Sequence, residues 1–302
     1  MFDGGAGLAR LGLQTGTGAA LTLSALGVPG GWPFVGKFYV HQYDPEAFWE
    51  GAEVWRGVVT DVRAARERIG DLVSGVSRDG WRSEDGRAFQ RRMDAFLDDL
   101  LGIEIRASLI AAVLYVSAAA MAGMIVFMCS VASAMAATAA WVLLAALPPL
   151  SAANARILAT DALRTLFGTF EAVESGFDTL LHTCAGLLGA AVAGDILAES
   201  AAGDRSAMTD SVQATVSQSP MLVWGTLNRV ERDLTAHGIG GRFPGGLWGR
   251  GSGSRVGLPL PPGLPQAAAV KGANDISGNQ QTVTGPYVPE QNPDGSHTYP
   301  WE

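Results

Sequence analysis

The chain reads as an all-α protein: an antiparallel helical hairpin followed by long apolar helices, with disordered N- and C-terminal segments. Three observations predict this. Residues 54 to 103 carry two apolar stripes at helical spacing. No Asp, Glu, Lys or Arg occurs from Ala107 to Ala155, a run of 49 residues. The last 65 residues hold 14 Gly and 9 Pro, above the roughly 25–30% combined content of low-complexity sequence. No segment reads as a convincing strand.

Residues 1–43 are Gly-rich and almost uncharged, and are expected to form a flexible arm. The run Leu11 to Val28 is interrupted by Gly12, Gln14, Gly16 and Gly18 and lacks a basic start, so it does not fit a secretory signal. Pro29, Gly30, Gly31 and Pro33 break any helix there.

Residues 44–104 are the most densely charged stretch, with 23 of the 50 charged residues. Val54, Val58, Val62, Ala65, Ile69, Leu72 and Val76 step by three or four, close to a heptad seam. Asp44-Pro45 marks the start, with Pro at the first helical position. The helix is expected to stop near Ser77 to Gly80. Ser83 can cap a second helix, with Glu84 and Asp85 at the positive end of its dipole. Phe89, Met93, Phe96, Leu100 and Ile103 then form the second stripe. Two matched stripes and a short link predict an antiparallel hairpin, and stripes this wide call for a further helical partner.

Residues 105–150 are the apolar middle. Ser108 to Met128 is long enough to cross a bilayer, which needs about 20 apolar residues. Val131 to Leu147 follows, and Pro148-Pro149 stops it. Two membrane passes joined near Cys129-Ser130-Val131 would put Arg106 and Arg156 on one side, the cytoplasmic one by the positive-inside rule. That joint carries no turn residue, so one long helix is the alternative. A buried Ala-rich pair in a soluble bundle is the rival to insertion. Residues 151–237 return to a helical pattern, with Leu158, Leu163, Leu166, Phe170, Val173, Phe177 and Leu180 on one face. A polar break follows from about Glu199 to Ser219, then a short helix over Met221–Ala236. Residues 238–302 are expected to be a disordered tail.

The chemistry these residues offer is sparse. A net charge of −8 argues against phosphate neutralisation, so no nucleic-acid partner is expected. Cys129 and Cys184 sit in apolar stretches and read as small buried hydrophobes. His41 and His297 fall in linker or tail sequence, His237 at a helix end, and His182 two residues from Cys184, where the two side chains diverge. Asp94, Asp98 and Asp99 read as a solvated acidic face. The Gly-rich pieces lack the flanking strand and helix of a phosphate loop. No catalytic site, metal, cofactor or small-molecule substrate is expected. Arg outnumbers Lys 19 to 2, which points to a GC-rich bacterial genome.

The turn of the hairpin reads Gly80-Trp81-Arg82-Ser83-Glu84-Asp85-Gly86-Arg87-Ala88-Phe89. It resembles the Trp-x-Gly (WXG, ESAT-like) family of bacterial type VII secretion substrates, in its longer actinobacterial form. Ser83 stands where that family most often has Gly, and Asp44-Pro45-Glu46-Ala47 resembles the start of the longer domains. The resemblance implies pairing with a partner hairpin or a second copy, without catalysis by the hairpin. The residues expected to carry it are Trp81, Ser83 and Phe89 at the turn, Val58, Val62 and Ile69 on the first helix, and Met93 and Phe96 on the second. Tyr287 is followed four residues later by Gln291, not by the acid of the family's secretion signal. With this resemblance, the expectation is a non-enzymatic, membrane-associated protein of a bacterial type VII secretion system, located in the bacterial cell membrane or secreted, that acts by pairing its hairpin with a partner. A secreted effector that inserts its apolar helices and a soluble helical scaffold are the other readings.

Overall fold

A computed structural model describes residues 4–78, 83–146, 149–201, 206–217, 219–240, 271–272, 275–276, 290–292 and 297–298. The fold is helical nearly throughout: α1 (Gly5–Ala25), a 3₁₀ turn (Pro29–Gly31), α2 (Trp32–Val40), α3 (Pro45–Arg78), α4 (Glu84–Ala145), α5 (Pro149–Ala201), α6 (Ala207–Ser217) and α7 (Ser219–Gly240). One two-residue antiparallel ladder, β1 (Glu290–Gln291) with β2 (His297–Thr298), lies in the tail, where no strand is expected from sequence.

The chain divides into two compact units. The first contains residues 1–44, 121–178 and 209–302. Its N-terminal segment corrects the expected flexible arm: α1 and α2 are helices, and Leu13, Leu23, Phe34, Val35, Phe38 and Tyr39 are all fully buried. Glycine here serves close packing. A methyl group added at Gly16 would sit 2.5 Å from the Phe38 ring, so only Gly lets α1 approach α2 this closely. Gly27, at φ 84°, ends α1. The N–H groups of Gly27 and Val28 bond to the carbonyls of Ser24 and Leu23, the glycine-terminated stop that satisfies the last orphan acceptors. Arg156 Nε donates to the Leu26 carbonyl at 2.7 Å, placing a cation at the negative helix end.

Helix α2 starts at Trp32-Pro33, with Pro in the position that needs no N–H, and Trp32 Nε1 bonds Ser24 Oγ at 2.9 Å. Its Phe34 meets Phe167 of α5 edge to face, with ring centroids 5.1 Å apart, and its Phe38 meets Phe170 at a tilt, 5.7 Å apart. Phe127 of α4 meets Phe170 at 5.5 Å. In the second half of α4, Ile125, Met128, Ala132 and Met135 are buried.

The second unit contains residues 45–120 and 179–208. Helix α3 ends at Arg78, inside the expected stop, and α4 begins at Glu84. Ser83 caps α4 as expected: its Oγ accepts the Gly86 N–H at 3.1 Å. Arg63 and Arg66 of α3 meet Glu104 of α4, while Trp49 and Glu53 meet Tyr115. Advancing along α3 thus means retreating along α4, which is antiparallel order.

The apolar middle departs from the two-pass arrangement. Helix α4 runs unbroken through Cys129-Ser130-Val131, so residues 105–150 do not fold into a transmembrane hairpin. The joint holds no Gly or Pro, and Ser130 and Ser133 return their hydroxyls to the carbonyls of Val126 and Cys129 within the same helix. Among the described residues, two helices are long and apolar enough to cross a membrane, α4 and the Ser151–Gly194 stretch of α5. Residues 151–201 are helical as expected, and α6 forms within the segment read as a polar break. Most of residues 238–302, expected to be disordered, lie outside the described residues. Lys271, Gly272, Asp275 and Ile276 do not: they pack on α2 and α7, with Asp275 buried.

Candidate functional site

The hairpin carries the sequence-predicted site. Trp81 lies outside the described residues. Ser83 is exposed and occupied as a cap. Val58, Val62, Ile69, Phe89 and Met93 are half-buried, and Phe96 is 45% exposed. Met93 precedes Glu104 by eleven residues, close to three full turns, so it shares the face of α4 that meets Arg63 and Arg66. It belongs to the seam inside the hairpin. Phe89, Phe96 and Ile103 form a different row, one residue off that face at seven-residue steps.

A matching row lies on α3. Phe48, Trp55, Val62, Ile69 and Val76 also step by seven, with Leu72 beside them. On a wheel of 3.6 residues per turn both rows are rotated in the same sense from the contacting faces. Because the helices run antiparallel, that rotation puts both rows on one side of the hairpin. Trp55, Leu72 and Val76 of α3 and Phe96 and Ile103 of α4 are exposed there. The charges of Asp94, Asp98 and Asp99 are exposed, as a solvated face requires.

The seam holds a polar cluster. Glu104, 7% exposed, accepts from Arg63 Nε at 2.7 Å and pairs with Arg66 at 3.1 Å. Glu53 accepts from the Tyr115 hydroxyl at 2.6 Å and pairs with Arg56. The Tyr115 hydrogen bond, then the Arg56 contact, hold the Glu53 carboxyl below the usual range.

A second polar cluster, in the first unit, has no counterpart in the sequence reading. His41, placed in linker sequence by that reading, is 1% exposed at the C-terminus of α2. Its Nε2 lies 2.7 Å from Glu174 Oε1 and its Nδ1 2.7 Å from the Tyr43 hydroxyl. Lys37 Nζ donates to the other Glu174 oxygen at 2.5 Å. The rings of Phe170 and Phe177 enclose His41 at 6.2 and 6.0 Å. Burial pushes the Tyr43 hydroxyl up to about 12, so it stays protonated. Lys37 and His41 are four apart, as are Phe34 and Phe38. That spacing, with Pro33 at the start, was the available signal for a short amphipathic helix.

Every member of this cluster is held by another member, which suits cross-linking of α2 to α5. Among the described residues, no three His, Cys, Asp or Glu side chains come together to hold a metal ion. Cys184 is buried and Cys129 half-buried, with its Sγ 3.3 Å from the Leu8 carbonyl. Comparison with protein-family models, with curated proteins and with solved structures finds no match to this chain.

Proposed function

We propose that the chain is a non-enzymatic, membrane-associated protein of a bacterial type VII secretion system, and that it works by pairing its α3–α4 hairpin with a partner hairpin or a second copy. The observation that carries this reading is the one-sided apolar face. Trp55, Val62, Ile69 and Val76 of α3 lie beside Phe89, Phe96 and Ile103 of α4, at the seven-residue spacing that helical partners interlock. A face of aromatic and branched residues rimmed by charge is what an interface core requires. Support for the membrane part is the uncharged length of α4, with Val126, Trp141, Leu143 and Leu144 exposed along it.

The second reading is a soluble bundle. It is favoured by the first unit, where the apolar half of α4 is partly covered by protein and α5 exposes Asp161 and Arg164. The two readings part on one experiment. Native cells are separated into medium, cytosol and carbonate-washed membranes. Retention in the washed membranes, with altered distribution when the secretion apparatus is deleted, is the expected result. Free solubility without detergent overturns the membrane part. For the pairing, Ile69→Asp combined with Phe96→Asp should abolish self-association or co-purification with a hairpin partner while leaving helix content unchanged. Unaltered association overturns the pairing surface.

A further inference from the structure

The tail touches the first unit through a short, specific contact. Asp275, 4% exposed, accepts from the hydroxyl of Tyr39, which is fully buried, at 2.6 Å. Lys271 Nζ reaches the same carboxylate at 2.6 Å and Glu231 of α7 at 2.7 Å. Between these polar contacts, Gly272 presses on α7: a methyl group there would sit 2.4 Å from Ile239 and 3.1 Å from Thr235. Gln14 of α1 extends its amide to the Ile276 carbonyl. A cation, a glycine beside it and a carboxylate four residues on are each matched by a group on the body.

We propose that Lys271–Ile276 is a docking motif and that the surface formed by Tyr39, Glu231, Thr235 and Ile239 is its receptor. The tail is thereby latched to the body by a non-covalent, exchangeable contact. The physical case rests on what the latch covers. With the tail docked, Asp275 gives the buried Tyr39 hydroxyl its acceptor, so removing that carboxylate alone leaves a buried donor unpaired, which is costly. Lys271 pairs with both carboxylates, so its removal leaves Glu231 and Asp275 each without that cation. The glycine sets the closeness of the fit, because a side chain at that position would have to push the Ile239 side chain aside. Releasing the latch opens a polar-lined apolar surface on α2 and α7, so the contact sets whether that surface is available.

The test uses the full chain with a protease site inserted between Arg250 and Gly251. After cleavage, gel filtration (in detergent where the chain needs it) should show the C-terminal fragment retained by the body. A synthetic peptide of residues 268–279 in excess should displace it. Gly272→Val and Asp275→Ala should each weaken retention about tenfold or more, the scale of one lost charged hydrogen bond or an equivalent clash. Tyr39→Phe, which keeps the shape, should weaken it less than Asp275→Ala. Circular dichroism of the cleaved body checks that the helices persist. Dissociation of the unsubstituted fragment on cleavage overturns the proposal, as does full retention of the Gly272→Val fragment or failure of the peptide to compete.

Discussion

Substituting Gly16 and Gly18 separately by Ala should move stability in opposite directions. Both glycines lie in α1, two residues apart, and both gain helix propensity as Ala, about 0.8–1.0 kcal/mol in a helix interior. Gly18 has nothing within 4 Å of an added methyl group, so it should keep most of that gain. At Gly16 the methyl would lie 2.5 and 2.7 Å from two carbons of the Phe38 ring. The ring cannot yield freely, because Phe38 is fully buried and sits 6.3 Å from Phe34 and 5.7 Å from Phe170. Overpacking of that kind costs about 1–3 kcal/mol. After the propensity gain, Gly16→Ala should be destabilising by up to about 2 kcal/mol. At about 2–4 °C per kcal/mol for a domain of 150–250 residues, the two variants should differ by several degrees in Tm, with opposite signs. Thermal unfolding of the purified chain by near-ultraviolet circular dichroism, which reports the packed Phe and Trp rings, reads this directly. Equal shifts for the two variants would refute the close α1–α2 packing and return residues 1–43 to a flexible arm.

Glu174→Gln should destabilise by about 3–5 kcal/mol, because Lys37 loses its buried counter-charge. The paired replacement Lys37→Met with Glu174→Leu should recover much of the loss, and urea unfolding of both variants checks this. Ser83→Ala should cost about 1 kcal/mol by removing the α4 cap, visible as faster hydrogen exchange at Gly86. The Glu53 carboxyl is depressed in the folded state, so its stabilising contribution is present above the ordinary glutamate value of about 4.3 and is lost as pH falls through the lower folded value. Glu53→Gln should therefore flatten the acid limb of the stability profile, and an unchanged limb would show that the Tyr115 contact does not form.

The helices α3 and α4 were legible because their signals are local. Stripe spacing, Pro45 at a helix start and Ser83 before Glu84-Asp85 all act within one or two turns, and α3, α4 and the cap follow them. Which apolar residues stay uncovered was not legible. Met93 and Phe96 sit three residues apart on one stripe, yet only the antiparallel pairing of Glu104 with Arg63 and Arg66 assigns Met93 to the seam and leaves Phe96 exposed. His41 was missed for the same reason: its partner Glu174 is 133 residues away.

By itself, the sequence determined that this protein is helical, where α3 begins and ends, where α4 begins, and that α4 carries an uncharged run long enough for a bilayer. These follow from backbone propensity, capping and hydrophobic period, each set by neighbouring residues. Tertiary structure alone decided the role of the Gly-rich start. Glycine lowers the cost of disorder and also removes the atom that keeps helices apart, so composition cannot separate a flexible arm from a tightly packed one. Gly16 against Phe38 and Gly12 against Cys129 resolve it toward packing, because a neighbour from another helix occupies the space that a side chain would need.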